Sequence, residues 1–378
     1  MSINQTDINP QMQVQEQVGQ RSLPPVDKFL LNLTLILILV GIFAIASAGW
    51  YESIRYTGFA WSFFIKHMIS VVLGLGVMYV ASYFNYRWWN KLAWPIAIGC
   101  LFLLALTALP QIGVVTGGSR RWLSLGFFQL QTSEFVKIAA VLLMAKVFNE
   151  RRFRRFFAAL GLVSIMGVLV LKQPDLGTTM LIMSSIAFVA YAARFNLFLF
   201  FGSIATLFWL VWHQILKTPY QMQRIKYWLN PHLDPLGRGY NIIQSEYAIG
   251  SGGIIGAGWG ASQQKLGYLP VAHADFIFSI ICEELGLLGA AAILLLFIAW
   301  VFRAARMTLY LEDDYARFVA FGLTGIFALQ IIINICVALG LLPTTGMTLP
   351  FISFGGSSFI SCSLLAGILL NISRFTRK

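Results

Sequence analysis

Asp275 is the only carboxylate between Glu246 and Glu283, and it stands just ahead of a long apolar run. A carboxylate there could cap a helix through the macrodipole. In a site half removed from water it could instead act as a general base. Arg120 and Arg121 are adjacent, in Gly117-Gly118-Ser119-Arg120-Arg121-Trp122. Guanidinium groups take phosphate oxygens in bidentate fashion, so this pair suits an anionic ligand. Glu134 and Lys137 are three residues apart within apolar sequence. That spacing puts them on one helix face. Intramembrane ionisable pairs mark functional sites or fix helix packing. Asp175, in Lys172-Gln173-Pro174-Asp175-Leu176, is expected to cap the helix that follows.

Further candidates lie in two polar stretches. Arg224 sits in Tyr220–Pro231, where aromatic, apolar and cationic residues alternate as in a segment lying at a membrane interface. Gln244 and Ser251 flank a glycine-bearing run whose backbone N–H groups could approach phosphate. Lys265 opens the segment that ends at Asp275. Ser279, Cys282 and Gly286 share the helical face of Asp275, a small-residue stripe on which a lipid chain could lie. Between Gly340 and Ser358, prolines and glycines, with Pro350, Ser353, Gly355 and Gly356 among them, interrupt the helical pattern. Irregular backbone at membrane depth is tolerated where it is buried or lines a cavity.

The chain that must position these groups has 378 residues, 58% hydrophobic and 11% charged. Soluble chains are nearer about 25% charged. Too few charges remain to coat a soluble surface, so the expected class is an all-α polytopic membrane protein. Residues 1–25 form a polar tail without signal-peptide character. Residues 26–378 read as one transmembrane domain. Ten apolar runs can span: Phe29–Gly49, Ala60–Ser82, Leu92–Leu109, Thr132–Phe148, Phe157–Leu171, Leu176–Ala193, Leu197–Leu216, Asp275–Phe302, Phe318–Leu342 and Phe354–Ile372. A large loop, 217–274, separates the seventh and eighth. The four cysteines fall in apolar runs without paired spacing and read as core residues.

The net charge of +12 then divides. With both termini cytoplasmic, most Lys and Arg fall inside, above all in Asn149–Arg155, as topology rules require. That placement, rather than nucleic acid, explains the basic balance. Arg120, Arg121, Lys137, Lys172, Lys217, Arg224, Lys226, Arg238 and Lys265 remain outside or at its edge. Their concentration suggests an anionic ligand at the outer membrane surface.

The stretches GGSRRWLSLGFFQLQTSEFVK, KQPDLGTT, QRIKYWLNPHLDPLGRGYNIIQSEYAIGSGG, QKLGYLPVAHADFIFSIICEELGLLG and GLLPTTGMTLPFISFGGSS resemble the SEDS family (shape, elongation, division and sporulation) in order and content. The GGSRRWLSLG and TTGMTLPFISFGGSS forms look more like the division-type FtsW branch than the elongation-type RodA branch. The resemblance implies a peptidoglycan glycosyltransferase that polymerises lipid II in the bacterial cytoplasmic membrane, at the division septum, with Asp275 as the catalytic carboxylate. It points also to Glu134, Lys137, Arg120 and Arg121. Implied partners are undecaprenyl-pyrophosphate-linked glycan, a class B penicillin-binding protein with transpeptidase activity, and other division proteins. A divalent cation, Mg or Mn, is one way to bridge the pyrophosphate oxygens, and no residue cluster marks a metal site. The family's LPExHTDF reads LPVAHADF here, so Val271 and Ala274 replace the usual Glu and Thr. A lipid II transporter and an elongation-type polymerase are the alternative readings.

Overall fold

The computed structural model describes residues 24–376 apart from 110, 117–118, 125, 127–128, 196–201 and 203–218. The expected span Leu197–Leu216, Lys217 and nearly all of the N-terminal tail lie outside these residues. The described helices are α1 (Lys28–Ala48), α2 (Trp50–Thr57), α3 (Ser62–Tyr83), α4 (Tyr86–Ala108), α5 (Ser133–Glu150), α6 (Phe153–Lys172), α7 (Leu176–Ala192), α8 (Pro219–Leu229), α9 (Tyr240–Gly252), α10 (Ile277–Thr308), α11 (Asp314–Ala338) and α12 (Gly356–Ser373). Among them α1, α3, α4, α6, α10, α11 and α12 are long and apolar enough to cross a membrane. The shorter α7 has 17 residues. The expected loop 217–274 contains two helices, α8 and α9.

One departure from the all-α expectation is a three-stranded antiparallel sheet between α4 and α5: β1 (Gly113–Thr116), β2 (Ser119–Ser124) and β3 (Gln129–Gln131). Its strands are too short for a period-2 pattern to stand out against turn-like sequence.

Helix α5 forms the centre. It packs against α4, α6, α7, α11 and α12, and nearly every residue from Ser133 to Phe148 is buried. A helix apolar on all sides belongs in the interior, and this one carries Glu134 and Lys137 there. Alongside, α12 lies against α3. A side chain at Gly74 would strike Phe359, and one at Gly367 would strike the Met78 carbonyl. Small residues allow such close packing of membrane helices.

Helix α10 is broken at Gly286, whose φ of 65° and ψ of −166° suit glycine alone. The segment after α9 repairs the break. Ala257 and Gly258 N–H groups donate to the Glu283 and Glu284 carbonyls, each at 2.9 Å. Leu287 and Leu288 N–H groups donate to the Gly253 and Ile254 carbonyls at 2.9 and 3.1 Å. Backbone groups freed inside a membrane must find such partners.

This packing overturns the expected lipid-binding stripe. Ser279 is fully buried and exchanges a 2.6 Å hydrogen bond with Ser245 of α9. Cys282 is buried too, and a Cβ at Gly252 would meet its carbonyl oxygen. The small residues admit α9 and its trailing segment, which cover the face. The glycines of this run thereby serve helix contact.

Candidate active site

One end of the bundle gathers the sheet, the turn before α7, the turn before α10 and the irregular stretch between α11 and α12. Asp275 stands on the turn before α10. Its carboxylate does not cap that helix, which begins with no side-chain cap bond. Its backbone is tied on several sides. The Asp275 N–H donates to the Val271 carbonyl at 3.2 Å. The Asn334 amide of α11 donates to the Asp275 carbonyl at 3.1 Å and to the Met347 carbonyl at 2.6 Å. Ser353 Oγ donates to the Ala274 carbonyl at 2.6 Å, and the Phe354 N–H to the His273 carbonyl at 3.0 Å. The carboxylate is therefore held by backbone ties, while its own oxygens accept no hydrogen bond among the described residues.

Gly346 closes over this carboxylate. A Cβ built there would lie 3.6 Å from Asp275 Oδ2 and 4.0 Å from Arg121 Nη2, so carboxylate, guanidinium and glycine border one small space. Gly346 has φ +71°, which L side chains rarely adopt. Burial raises the Asp275 pKa from 3.8 to about 6, against the pull of Arg121, His273 and Arg224, with Asp175 pushing upward. A base with that value is mostly ionised at neutral pH and still accepts a proton readily.

The cations arrive from two elements. Strand β2 carries Arg120 and Arg121, both half-buried. Arg121 Nη1 lies 3.4 Å from Asp175 Oδ2. The Arg120 stem crosses Gly113 of β1, where a Cβ would collide with it. The Nε atoms of both arginines are buried without a partner. From α8, Arg224 Nη1 donates to the Thr344 carbonyl at 2.9 Å, and Trp228 Nε1 donates to the Gly340 carbonyl at 2.7 Å. Asp175 caps α7 as expected, accepting from the Thr178 N–H at 3.0 Å. It also anchors Arg121, a second task that the capping expectation did not include.

Beneath the surface, Lys137 Nζ lies 2.6 Å from Glu134 Oε2 and donates to Gln330 Oε1 at 2.7 Å. Gln330 in turn donates to the Thr348 carbonyl at 3.0 Å. The buried pair thus braces the irregular stretch whose Gly346 meets Asp275. Gln330 and Asn334 are not among the candidates that the sequence offers. The available signal was two amides, four residues apart, on one face of an apolar run.

Other candidates separate from this group. Lys265 is buried, 2.6 Å from Glu284 Oε1 and 2.8 Å from Ser47 Oγ. Its charge is committed to Glu284 and Ser47 of the bundle instead of facing an anionic ligand. Glu283 is engaged with Ser262 and the Gln263 N–H. Ser251 hydrogen bonds to the Ala248 carbonyl and, with Glu246 and Glu283, lines a cavity of about 550 Å³ that Asp275 and the arginines do not border. Gln244 is half-buried on α9. Pro350 and Ser353 are buried and shape the stretch, and Gly355 and Gly356 lead into α12. Among the described residues no three His, Cys, Asp or Glu side chains converge on a point that would hold a metal ion.

Residues 28–378 match the model of the FtsW, RodA and SpoVE family, described as a cell cycle protein. Stage V sporulation protein E of Bacillus subtilis is 41% identical over 366 residues, spanning 93% of this chain and 98% of that one. A protein of Geobacter sulfurreducens named probable peptidoglycan glycosyltransferase FtsW is 38% identical over 355 residues, spanning 92% and 95%. A chain solved in work on structural coordination of polymerization and crosslinking by a peptidoglycan synthase complex aligns with TM-score 0.76 and 29% identity, covering 92% of this chain and 98% of its own. The chain is a multi-pass membrane protein and belongs to the FtsW/RodA/SpoVE family, the SEDS family that its motifs resemble.

Proposed function

We propose that this protein is a peptidoglycan glycosyltransferase that polymerises lipid II at the outer face of the bacterial cytoplasmic membrane, in its division-type role. The observation that carries this reading is the meeting of Asp275, Arg121 and Gly346 at the end of the bundle where the loops gather. A base and a phosphate-binding cation there suit a substrate whose lipid tail stays in the membrane while its sugar reacts above it. With the ten expected crossings and both termini cytoplasmic, that end faces outside. The relatives named as glycosyltransferases support the activity.

The chemistry follows from the charges. Asp275 removes the proton from the acceptor's sugar 4-hydroxyl. That oxygen attacks the donor's anomeric carbon from the opposite face, the glycosidic bond to pyrophosphate breaks, and configuration inverts. Arg121 receives the departing pyrophosphate charge, the step at which preorganised cations contribute most, while the Arg120 stem packs over Gly113. Arg224 holds the 344 segment near the same space and adds to its positive field. Asp275 is poised by burial to accept a proton and by nearby cations to stay ionised near pH 7. A class B penicillin-binding protein is the proposed partner, crosslinking the strands that this chain extends, with the division septum as the site of action.

Purified protein with that partner and lipid II tests the assignment. Asp275→Ala should lose about 10²–10⁴ of the polymerisation rate. Full activity in that variant would overturn the role. Fluorescent lipid II translocation in the same liposomes distinguishes polymerisation from transport.

A further inference from the structure

Glu52 is a buried carboxylate that the mechanism leaves without a task. It lies on the short helix α2, between two membrane-spanning helices, and both of its oxygens reach the turn that carries Asp275. Oε1 accepts the Val271 N–H at 3.0 Å. Oε2 lies 2.7 Å from His273 Nδ1, an ion-pair distance without hydrogen-bond alignment. Val271 has φ +57°, a left-handed conformation that a β-branched side chain strongly disfavours. Strain of this kind persists only where surrounding contacts over-determine it. The Val271 carbonyl in turn accepts from the Ala274 and Asp275 N–H groups, so the strained residue and the carboxylate belong to one turn.

We propose that Glu52 is a positioning residue for Asp275, holding the Val271 amide and the His273 ring so that the turn presents its carboxylate beside Arg121. This rests on Asp275 being the reacting carboxylate. The other ties to the turn come from α11 and the stretch before α12, through Asn334, Ser353 and Phe354, and all of them grip carbonyl oxygens. Glu52 alone among the described side chains takes a backbone N–H of this turn, on its far edge. The His273 ring is also packed against both Phe63 and Phe354, with centroids 4.8 and 5.2 Å away. Releasing Glu52 frees one side of the ring and the strained amide together.

The charges facing Asp275 are Arg121 from β2, Arg224 from α8, Asp175 ahead of α7 and His273 on its own turn. His273 is among the groups that favour the ionised carboxylate. A ring that swings away withdraws that help, so the acid limb of the rate profile moves to higher pH.

The test uses the full chain, purified with its polymerisation partner and assayed on lipid II from pH 5 to 8.5. Glu52→Gln keeps the shape and an acceptor but removes the charge that faces His273. Its kcat should fall about 10- to 100-fold, the scale of a slightly misplaced catalytic group. Its KM should stay near the parent value, and the acid limb should move alkaline. Glu52→Asp restores a carboxylate and should recover part of the rate and the parent limb. In a His273→Gln background the Glu52→Gln effect should largely disappear, because both changes break one link. Two results overturn the proposal: parent kcat and pH profile in Glu52→Gln, or lower yield with an unshifted limb in the protein that folds. If Asp275→Ala is fully active, the reading of the site itself fails. If Asp275→Ala is inactive and Glu52→Gln behaves as the parent, only the positioning role is lost.

Discussion

Replacing Asp275 with asparagine removes a charge that the folded protein holds unwillingly. The ordinary carboxyl pKa of 3.8 is raised to about 6 by burial. The folded state therefore binds this proton more tightly than the unfolded chain does. Well below pH 4 the group is neutral in both states and has no effect. Between about pH 4 and 6 the unfolded chain gives up this proton while the folded state keeps it, and stability is lost. Each tenfold change is worth 1.36 kcal/mol, so the loss is complete near pH 7 and amounts to about 3 kcal/mol at most. Water at the half-exposed edge lowers it, and about 1–3 kcal/mol is the expected range. The asparagine amide forfeits no existing hydrogen bond, because the carboxylate oxygens accept none among the described residues.

Asp275→Asn should thus be a stabilised, inactive protein. Thermal unfolding in nanodiscs should show it more stable than the parent at pH 8 and equal to it at pH 4. Polymerisation should fall about 10²–10⁴-fold. In the parent, a base with pKa about 6 is roughly nine-tenths ionised at pH 7 and one-tenth at pH 5, so kcat/KM should drop by about tenfold between them. A stability difference that does not depend on pH would refute the claim that Asp275 is desolvated. A stabilised variant that still polymerises would refute its role as base.

Two further substitutions probe the surroundings. Arg121→Gln removes the cation that draws the Asp275 pKa down most, so the acid limb of kcat/KM should move to higher pH and turnover should fall; an unmoved limb would separate Arg121 from Asp275. Lys265→Met leaves Glu284 buried without its partner and should cost about 3–5 kcal/mol of stability in thermal unfolding, most of it recovered when Glu284→Gln is added.

Legibility in the sequence follows the range of the interactions involved. Seven of the expected spans are readable because hydrophobic run length alone defines them, and Asp175 is readable as a cap because a cap is a contact three residues long. Asp275 stood out because a lone carboxylate at the edge of an apolar run is conspicuous. What surrounds it was hidden, because its partners lie far away in sequence: Arg121 on a strand, Gly346 in a broken stretch, Asn334 in mid-helix. Lys265 shows the same limit from the other side. By sequence it is one of several outer cations, and only the fold reveals that Ser47 and Glu284, from two other helices, enclose it. Ser279 and Cys282 suggest a path for lipid in the sequence because it cannot say which neighbour covers a stripe of small residues. Small residues invite close approach by a lipid chain or by another helix, and here α9 takes the place. A buried charge can therefore be suspected from one dimension, but whether it meets a substrate or a counter-charge depends on what the chain brings against it. At Asp275 the described residues supply no hydrogen-bond donor to the carboxylate oxygens and leave an arginine beside it, the arrangement expected of a group whose partner arrives with the substrate.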